Sequence, residues 1–180
     1  QRLIREEFKK GQVIADAFCG VGCMLLQAAR QRNCTIWAND WNPDAIEALK
    51  KSAIRNDVAS YFTRIENGDA YDFLVDCGLS KSGSKRQLPD HVVLNYPLES
   101  IRFLGALRWW APAPLSGRRK LHSRESKAAT VSKSPRVHVY MFARAEGTKS
   151  AEEVAVEMVA AGLLAPLQAS LDDTYGCNVK

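Results

Sequence analysis

The sequence predicts an α/β fold, with a mostly parallel sheet and helices on both of its faces. Three observations support this prediction. Short apolar runs alternate along the chain with longer segments whose apolar residues have helical spacing. Turns that contain Gly, Asp or Asn follow several of the apolar runs. The 180 residues, 46% of them hydrophobic, are enough for one sizeable core, so we expect a single domain over residues 1–180.

The first half of the chain predicts three strands, each followed by a helix. The start of the second helix is the clearest, because Asn42 is a good N-cap and Pro43 suits the first helical position. Ile46, Leu49 and Ala53 then give that helix one apolar face. The predicted strands cover residues 13–15, 35–38 and 61–65, and Asp16 directly follows the first of them. The other two predicted helices cover residues 24–29 and 71–75.

The second half predicts two more strands, at 91–94 and 137–142. A helix with Ile101, Leu104 and Leu107 follows the first of them, and Ser150 caps a helix after the second. Polar stretches near 78–89 and 111–135 lack periodicity, so we expect two insertions there, the second of them mobile.

The net charge of +5 is concentrated in one segment. Residues 111–136 contain seven basic residues and one acid, Glu125, so the remainder of the chain is slightly acidic. Trp109 and Trp110 lie beside this segment, and aromatic rings with arginine can stack on nucleotides. A serine-rich basic run is more often solvated, however, and we favour that interpretation.

Five cysteines, an odd number with no Cys-x-x-Cys spacing, predict a reducing intracellular compartment and no metal site. No apolar run is long enough to span a membrane, so we expect no membrane association. The chain starts at Gln1 without a Met, which suggests a piece of a longer protein. We also expect a monomer. His91 and His138 fall in predicted strands, where they favour hydrogen-bonded core positions over catalysis.

The segment Asp16-Ala-Phe-Cys-Gly-Val-Gly22 joins the first strand to the first helix and predicts a nucleotide cradle. Glycines allow a sharp turn and a close approach of the backbone to a ligand. The N-terminus of the following helix offers N–H groups to an electronegative atom. Polar residues also end the other strands. Because ligands bind at the carboxyl ends of parallel strands, we expect these residues to meet in one crevice: Asp16, Asp40, Asp69 and Asn95.

These residues favour S-adenosylmethionine over NAD as the ligand. The dinucleotide fingerprint Gly-x-Gly-x-x-Gly has Leu25 in place of its third glycine, and Asp16 and Asp69 are unfavourable near a pyrophosphate. S-adenosylmethionine offers an ammonium, a sulfonium and a ribose diol, which carboxylates suit. Asp40 is placed for the ribose hydroxyls and Asp69 for the adenine amino group. Asn95 is placed for the methionine end or for the methyl acceptor. A helix cap or a solvated turn is the alternative for each acid.

Several segments resemble the archaeal and eukaryotic tRNA (guanine-37-N1)-methyltransferases. The glycine turn is similar to that family's Asp-x-Phe-Ala-Gly-Val-Gly, and the segment 39–43 to its Asn-Asp-Leu-Asn-Pro. The segment 91–97, His-Val-Val-Leu-Asn-Tyr-Pro, resembles His-Val-Val-Met-Asn-Leu-Pro. Gly68-Asp69 fits the end of the third strand. The chain departs from the family at Cys23-Met24, usually Pro-Phe, and at Tyr96, usually Leu.

The resemblance implies a Rossmann-like class I methyltransferase sheet, S-adenosylmethionine as cofactor and tRNA as partner. It implies that Asn95 and Pro97 form the catalytic floor where guanine meets the methyl group. It also implies that the family's general base and its small RNA-binding domain lie upstream of Gln1, and that its C-terminal hairpin lies beyond Lys180. The residues implied in cofactor binding are Asp16, Phe18, Gly20, Gly22, Asp40, Trp41, Asp69, Ala70 and Asn95.

Other functions stay open at this point. The related wybutosine-pathway transferase moves the aminocarboxypropyl group of the same cofactor. An amino-group methyltransferase fits less well, because its Asn-Pro-Pro-Tyr motif is only partly matched by Asn95-Tyr96-Pro97. A non-catalytic module that binds cofactor or RNA is a third alternative, since none of the residues is an obvious general base.

Overall fold

A computed structural model describes residues 2–79, 81–82, 85–86, 88–110 and 134–164 of the chain. Nearly all of the predicted insertion at 111–135 lies outside these residues, and so do Trp109's side chain and Cys177. None of the helices in the described ranges is long and apolar enough to cross a membrane.

A five-stranded parallel sheet forms the centre of the described structure. Its order is β3-β2-β1-β6-β7, so the order reverses at β1, where the chain crosses from one side of the sheet to the other. A separate antiparallel pair is formed by β4 and β5. The strands are β1 (Val13–Asp16), β2 (Thr35–Asn39), β3 (Phe62–Glu66), β4 (Lys81–Ser82), β5 (Lys85–Arg86), β6 (His91–Leu94) and β7 (Arg136–Val139).

Helices cover both faces of the sheet, as the sequence predicts. One core cluster joins Ile14 of β1 to residues of α2 and α3, and includes Leu25 and Leu49. The other joins Ala15 of β1 to α4 and a long 3₁₀ helix, and includes Phe73 and Leu104. Neighbouring residues of β1 therefore point into opposite cores. The helices are α1 (Arg2–Glu6), α2 (Cys23–Arg32), α3 (Pro43–Arg55), α4 (Ala70–Leu79) and α5 (Ala151–Leu164), with 3₁₀ helices at Ala59–Tyr61 and Ser100–Trp110.

The predicted helix caps are confirmed. The Asn42 side chain accepts a hydrogen bond from the Asp44 N–H at 2.9 Å, directly before α3. The Ser150 hydroxyl accepts from the Glu153 N–H at 3.2 Å, and the Glu153 carboxylate accepts from the Ser150 N–H at 2.7 Å. This reciprocal pair is a capping box that fixes the start of α5.

Gly78 corrects the predicted boundary of the first polar insertion, because α4 continues through it to Leu79. A Cβ atom at position 78 would overlap the indole of Trp110, so the helix can pack against that ring only with glycine here. The Trp110 Nε1–H donates to the Leu74 carbonyl at 2.7 Å, which holds the indole against α4. Trp110 is thus a buried core residue rather than a surface for nucleotides.

Replacing Gly78 by alanine is expected to destabilise the protein, against the usual order of helix propensities. Alanine favours a helix interior over glycine by about 1 kcal/mol. Overpacking a core costs roughly 1–3 kcal/mol, and the buried, hydrogen-bonded indole has little room to move. Because the gain in helix propensity offsets about 1 kcal/mol of that cost, we expect a net loss of up to about 2 kcal/mol in urea unfolding. Gly105→Ala is the matched control, since its Cβ would meet only Tyr71 Cε2 at 3.9 Å. A stabilising Gly78→Ala change would contradict this packing.

His91 and His138 are confirmed as hydrogen-bonded residues; His91, the first residue of β6, is buried in the core, whereas His138 of β7 is half-buried. His91 Nδ1 lies 2.9 Å from His138 Nε2, and His91 Nε2 lies 3.0 Å from Gln12 Oε1. Because an amide oxygen only accepts, His91 Nε2 is the donor, and His91 Nδ1 accepts from His138. Phe8 lies with its ring edge-on to both imidazoles. The pair therefore fastens the segment after α1 to the sheet.

Candidate functional site

The predicted polar residues lie together at one edge of the sheet, here called the carboxyl edge. Asp16 is the last residue of β1, and Asp40 and Asn95 directly follow β2 and β6. Asp69 comes three residues after β3, immediately before α4. Since all these strands are parallel and adjacent in register, their ends share the same edge. The structure thus brings the four predicted residues to the same edge.

The glycine turn between β1 and α2 depends on left-handed backbone at two positions. Gly20 has φ 52° and Gly22 has φ 80°, a region that side chains with a Cβ rarely adopt. A Cβ at Gly22 would also overlap the fully buried side chain of Leu49. At Gly20 no atom lies within 4 Å of such a Cβ, so the backbone there faces open space. A ligand can approach the main chain closely at Gly20.

Asp40 connects the end of β2 to the glycine turn. Its Oδ2 accepts from the Gly20 N–H at 2.7 Å, and its Oδ1 accepts from the Asn42 N–H at 3.0 Å. Asn67 fixes the backbone here, because its Nδ2 donates to the carbonyls of Asp40 and Trp41, both at 2.8 Å. The Trp41 indole is 83% exposed and has a flat face available to a ligand. Each carboxylate oxygen of Asp40 retains a further lone pair for a hydroxyl donor.

Asp69 caps the N-terminus of α4. A helix cap was the alternative interpretation that the sequence left open for each of the acids. Its Oδ1 accepts from the N–H groups of Tyr71 at 2.6 Å and Asp72 at 3.2 Å. No hydrogen bond of Oδ2 is recorded among the described residues, so this oxygen can accept from a ligand. The Ala70 side chain is buried in the second core cluster, and only its backbone lies toward the edge.

Asn39 is a site residue that the sequence reasoning missed. Its side chain is buried, and Nδ2 donates to the carbonyls of Ala17 at 3.2 Å and Gly68 at 3.0 Å. Its own carbonyl accepts from the Cys19 N–H at 2.9 Å. Asn39 therefore holds together the loop after β1, which directly follows Asp16, and the loop after β3, which contains Asp69. Two sequence signals pointed to it: a polar residue at the end of an apolar strand, and its place as the first residue of the segment 39–43 that resembles a family motif.

Asp16 is the most deeply buried acid of the site, at 4% exposed. Its Oδ1 accepts from the Phe18 N–H at 3.0 Å. Burial, with a further contribution from the neighbouring Asp40 carboxylate, raises the pKa of Asp16 to about 7. Burial also raises the pKa of the Cys19 thiol, so this cysteine is a packed thiol rather than a nucleophile.

Aromatic rings join the glycine turn to Asn95-Tyr96-Pro97. The Phe18 ring stacks on Tyr96, with centroids 5.3 Å apart and planes 23° apart, and meets Phe103 edge-on at 4.9 Å. The Ser100 hydroxyl accepts from the Tyr96 N–H at 3.0 Å and lies 3.0 Å from the Leu94 carbonyl. These contacts fix the loop after β6, while the Asn95 side chain stays exposed.

A groove of about 430 Å³ lies elsewhere on the molecule and contains none of the predicted site residues. The C-terminal turns of α2 and α3 line it, with Arg30, Arg55 and Tyr61. Arginines are favourable at helix C-termini, where the backbone carbonyls carry partial negative charge. The arginines are therefore explained by their places at the helix ends, and the groove is not part of the carboxyl edge.

The connection made by Asn39 predicts a large effect of Asn39→Ala on stability. The change leaves the buried Ala17 carbonyl and the half-buried Gly68 carbonyl without this donor, and an unsatisfied buried carbonyl costs roughly 1–3 kcal/mol. We expect the free energy of unfolding to fall by about 2–4 kcal/mol, measured by urea titration. Asn56→Ala is the control, because that exposed amide also donates to a carbonyl, Ser52 O at 2.8 Å. Equal losses in the two variants would show that Asn39 does not hold the loops together.

The chain is similar in sequence to several known proteins. No protein-family model matches the chain. The chain is 48% identical, over 212 aligned positions that include all of it, to the tRNA (guanine(37)-N(1))-methyltransferase 2 of Phaeodactylum tricornutum, of which it covers 35%. It is 40% identical to the tRNA (guanine(37)-N(1))-methyltransferase of Dictyostelium discoideum and 36% identical to the human one, over 56% and 59% of this chain. It covers 21% and 22% of those two proteins.

Solved structures give more distant likenesses. A putative transferase of Pyrococcus horikoshii has a TM-score of 0.48 and 18% identity, covering 60% of this chain and 37% of that one. An RNA methyltransferase of Salinibacter ruber, in complex with S-adenosyl-L-homocysteine, has a TM-score of 0.38 and 24% identity, covering 54% of each chain. By sequence the chain spans between about a fifth and about a third of the length of the relatives named above. Over that part, its sequence is homologous to the tRNA (guanine(37)-N(1))-methyltransferases.

Proposed function

We propose that this chain binds S-adenosylmethionine at the carboxyl edge and is the cofactor-binding part of an enzyme that methylates N1 of guanine 37 in tRNA. The observation that carries the proposal is the acidic edge built around a left-handed glycine turn. Asp16, Asp40 and Asp69 meet there, and no ion pair of these three with a basic side chain is recorded in the described ranges. Such an edge favours a ligand with positive charge and hydroxyl donors over one with phosphates.

Each acid has a distinct role in this proposal. Asp40 accepts from the ribose hydroxyls, and its bond to the Gly20 N–H keeps the carboxylate in place. Asp69 accepts from the adenine amino group through the oxygen that α4 leaves free. Trp41 covers the adenine with its exposed indole. Asp16 supplies negative charge toward the methionine end.

When bound, S-adenosylmethionine supplies an electrophilic methyl group on a sulfonium. This chain's own residues then align the acceptor, and alignment is a large part of catalysis for such a transfer. Asn95 and Pro97 form the floor that receives the guanine, and the Phe18–Tyr96 stack keeps that floor rigid. The exposed amide of Asn95 donates to and accepts from the guanine edge. The guanine must leave its stacked loop to reach this position.

Mass spectrometry of tRNA treated with the full-length protein and S-adenosylmethionine tests the activity. We expect a gain of one methyl group on guanine 37. A gain of an aminocarboxypropyl group would assign the related wybutosine-pathway transfer instead, and no modification would support a non-catalytic binding module. Calorimetry with NAD and with S-adenosylmethionine tests the cofactor. Tighter binding of NAD would overturn the proposed site.

A further inference from the structure

Asp16 is a buried carboxyl group with no compensating charge. It is 4% exposed, and the hydrogen bond recorded for it comes from the Phe18 N–H to Oδ1. Oδ2 has no recorded partner, and no Lys, Arg or His of the described ranges forms an ion pair with Asp16. Burial without a compensating positive charge disfavours the ionised form of a carboxyl group, and the hydrogen bond from the Phe18 N–H opposes this effect only in part.

The neighbours of Asp16 do not supply the missing charge. Directly after β2, Asp40 adds a second negative charge, and the Asn39 amide at the end of β2 is neutral and donates to the carbonyls of Ala17 and Gly68. On the other side, β6 presents the backbone of Val93, whose carbonyl accepts from the Ala17 N–H at 3.2 Å. The loop after β1 contributes the Cys19 thiol, which burial keeps protonated. Within the described part of the chain, the groups named here around Asp16 are therefore neutral or negative.

We infer that Asp16 holds a proton in the ligand-free protein near neutral pH and releases it to solvent when a cationic ligand binds at the carboxyl edge. This inference rests on the proposed function and adds to it a role for Asp16 in selecting ligands by charge. On ligand binding, the O–H bond of the Asp16 carboxyl group breaks, the group becomes a carboxylate, and the proton goes to the buffer. The positive charge of the ligand replaces the positive charge of the proton.

Because a cationic ligand replaces the proton of Asp16, the site selects ligands by their charge. A ligand with positive charge at the methionine end can take the place of the proton, whereas adenosine, which lacks that end, cannot. The affinity for S-adenosylmethionine should therefore rise with pH up to the point at which Asp16 ionises without ligand. The slope approaches tenfold per pH unit when one proton is released. The affinity for adenosine should change little over the same range.

Calorimetry of the full-length protein tests the inference at pH 6.5 in two buffers with different enthalpies of ionisation. The difference in observed heat gives the number of protons released, and we expect between about half a proton and one for S-adenosylmethionine, and close to none for adenosine. Infrared difference spectra provide a second measurement without a variant. The carbonyl band of a protonated carboxyl group should disappear on binding.

Two variants test whether the proton released on binding comes from Asp16. Asp16→Asn should bind more weakly and release no proton, while Asp44→Asn, in an exposed position at the start of α3, should behave as the wild type. Binding of S-adenosylmethionine without proton release, or with unchanged release in Asp16→Asn, would overturn the inference and leave the proposed function standing. Failure of S-adenosylmethionine to bind at any pH would overturn the proposed function itself.

Discussion

Replacing Asp40 by alanine is expected to weaken S-adenosylmethionine binding about 100-fold. In the proposed site, the two hydroxyls of the ribose donate to this carboxylate, and hydrogen bonds to a charged group contribute roughly 1.5–3 kcal/mol each. Losing two of them costs roughly 3 kcal/mol, which corresponds to about two orders of magnitude in the dissociation constant. The change also removes the acceptor of the Gly20 N–H, so the glycine turn loses its connection to β2. Calorimetric titration of the variant measures the effect directly.

Two further variants separate charge from fold. Asp44→Ala removes an exposed acid only four residues away and should leave the dissociation constant within about twofold. Asp40→Asn keeps one oxygen for the backbone but loses the charge, and should lie between Asp40→Ala and the wild type. If Asp40→Ala bound S-adenosylmethionine as tightly as Asp44→Ala does, the ribose would not lie at the end of β2. Urea unfolding of each variant checks that any loss reflects binding rather than folding.

The sequence predicts the sheet well because its signals are local. The strand at 91–94 is reproduced to the residue, and β1, β2 and β3 differ from their predicted bounds by one residue at most at either end. Such runs are apolar and short because both faces of a parallel sheet are buried. The start of α3 is predicted equally well, because its N-cap Asn42 and the first helical residue Pro43 are adjacent in the sequence.

Elements that depend on distant contacts were predicted less well. The helix at Ile101–Leu107 is a 3₁₀ helix that extends to Trp110, and its spacing alone does not separate this form from an α-helix. α4 passes through Gly78, which reads locally as the end of a helix. The reason for glycine there is Trp110, 32 positions further along the chain. β7 ends at Val139, before the predicted end at Phe142, whose N–H instead donates to the Pro97 carbonyl at 3.2 Å.

In the candidate site, too, some residues are predicted by local sequence signals and others depend on contacts between distant parts of the chain. Asp16 and Asp40 follow from their positions after apolar strands, and the shared edge follows from parallel pairing. The role of Asn39 depends on two carbonyls in different loops, which no spacing along the chain reveals. The stack of Phe18 on Tyr96 likewise joins residues 78 positions apart. Sequence reasoning thus finds residues that a strand presents, and misses residues that hold loops to one another.

Asp16→Asn is expected to make the ligand-free protein more stable above neutral pH. The pKa of Asp16 is raised in the folded protein from its ordinary value of 3.8 to about 7, mainly by burial. The folded state therefore binds this proton more tightly than the unfolded state does. The stability that the proton contributes is fully present below pH 3.8 and is lost as the pH rises through about 7. Asparagine has no charge to bury, and at pH 8 we expect the variant to gain roughly 2–4 kcal/mol over the wild type.

Urea unfolding of both proteins at intervals from pH 5 to pH 8 measures this difference. The advantage of Asp16→Asn should be smallest at pH 5, grow until about pH 7 and then level off, while the exposed Asp44→Asn control should follow the wild type at every pH. Saturating S-adenosylmethionine should reduce the advantage, because only the wild type has a carboxylate for the ligand's positive charge to stabilise. A constant difference between variant and wild type across the range would mean that Asp16 ionises as easily as an exposed acid. The stability lost by burying this carboxyl group without a compensating positive charge is then the cost of selecting a cationic ligand.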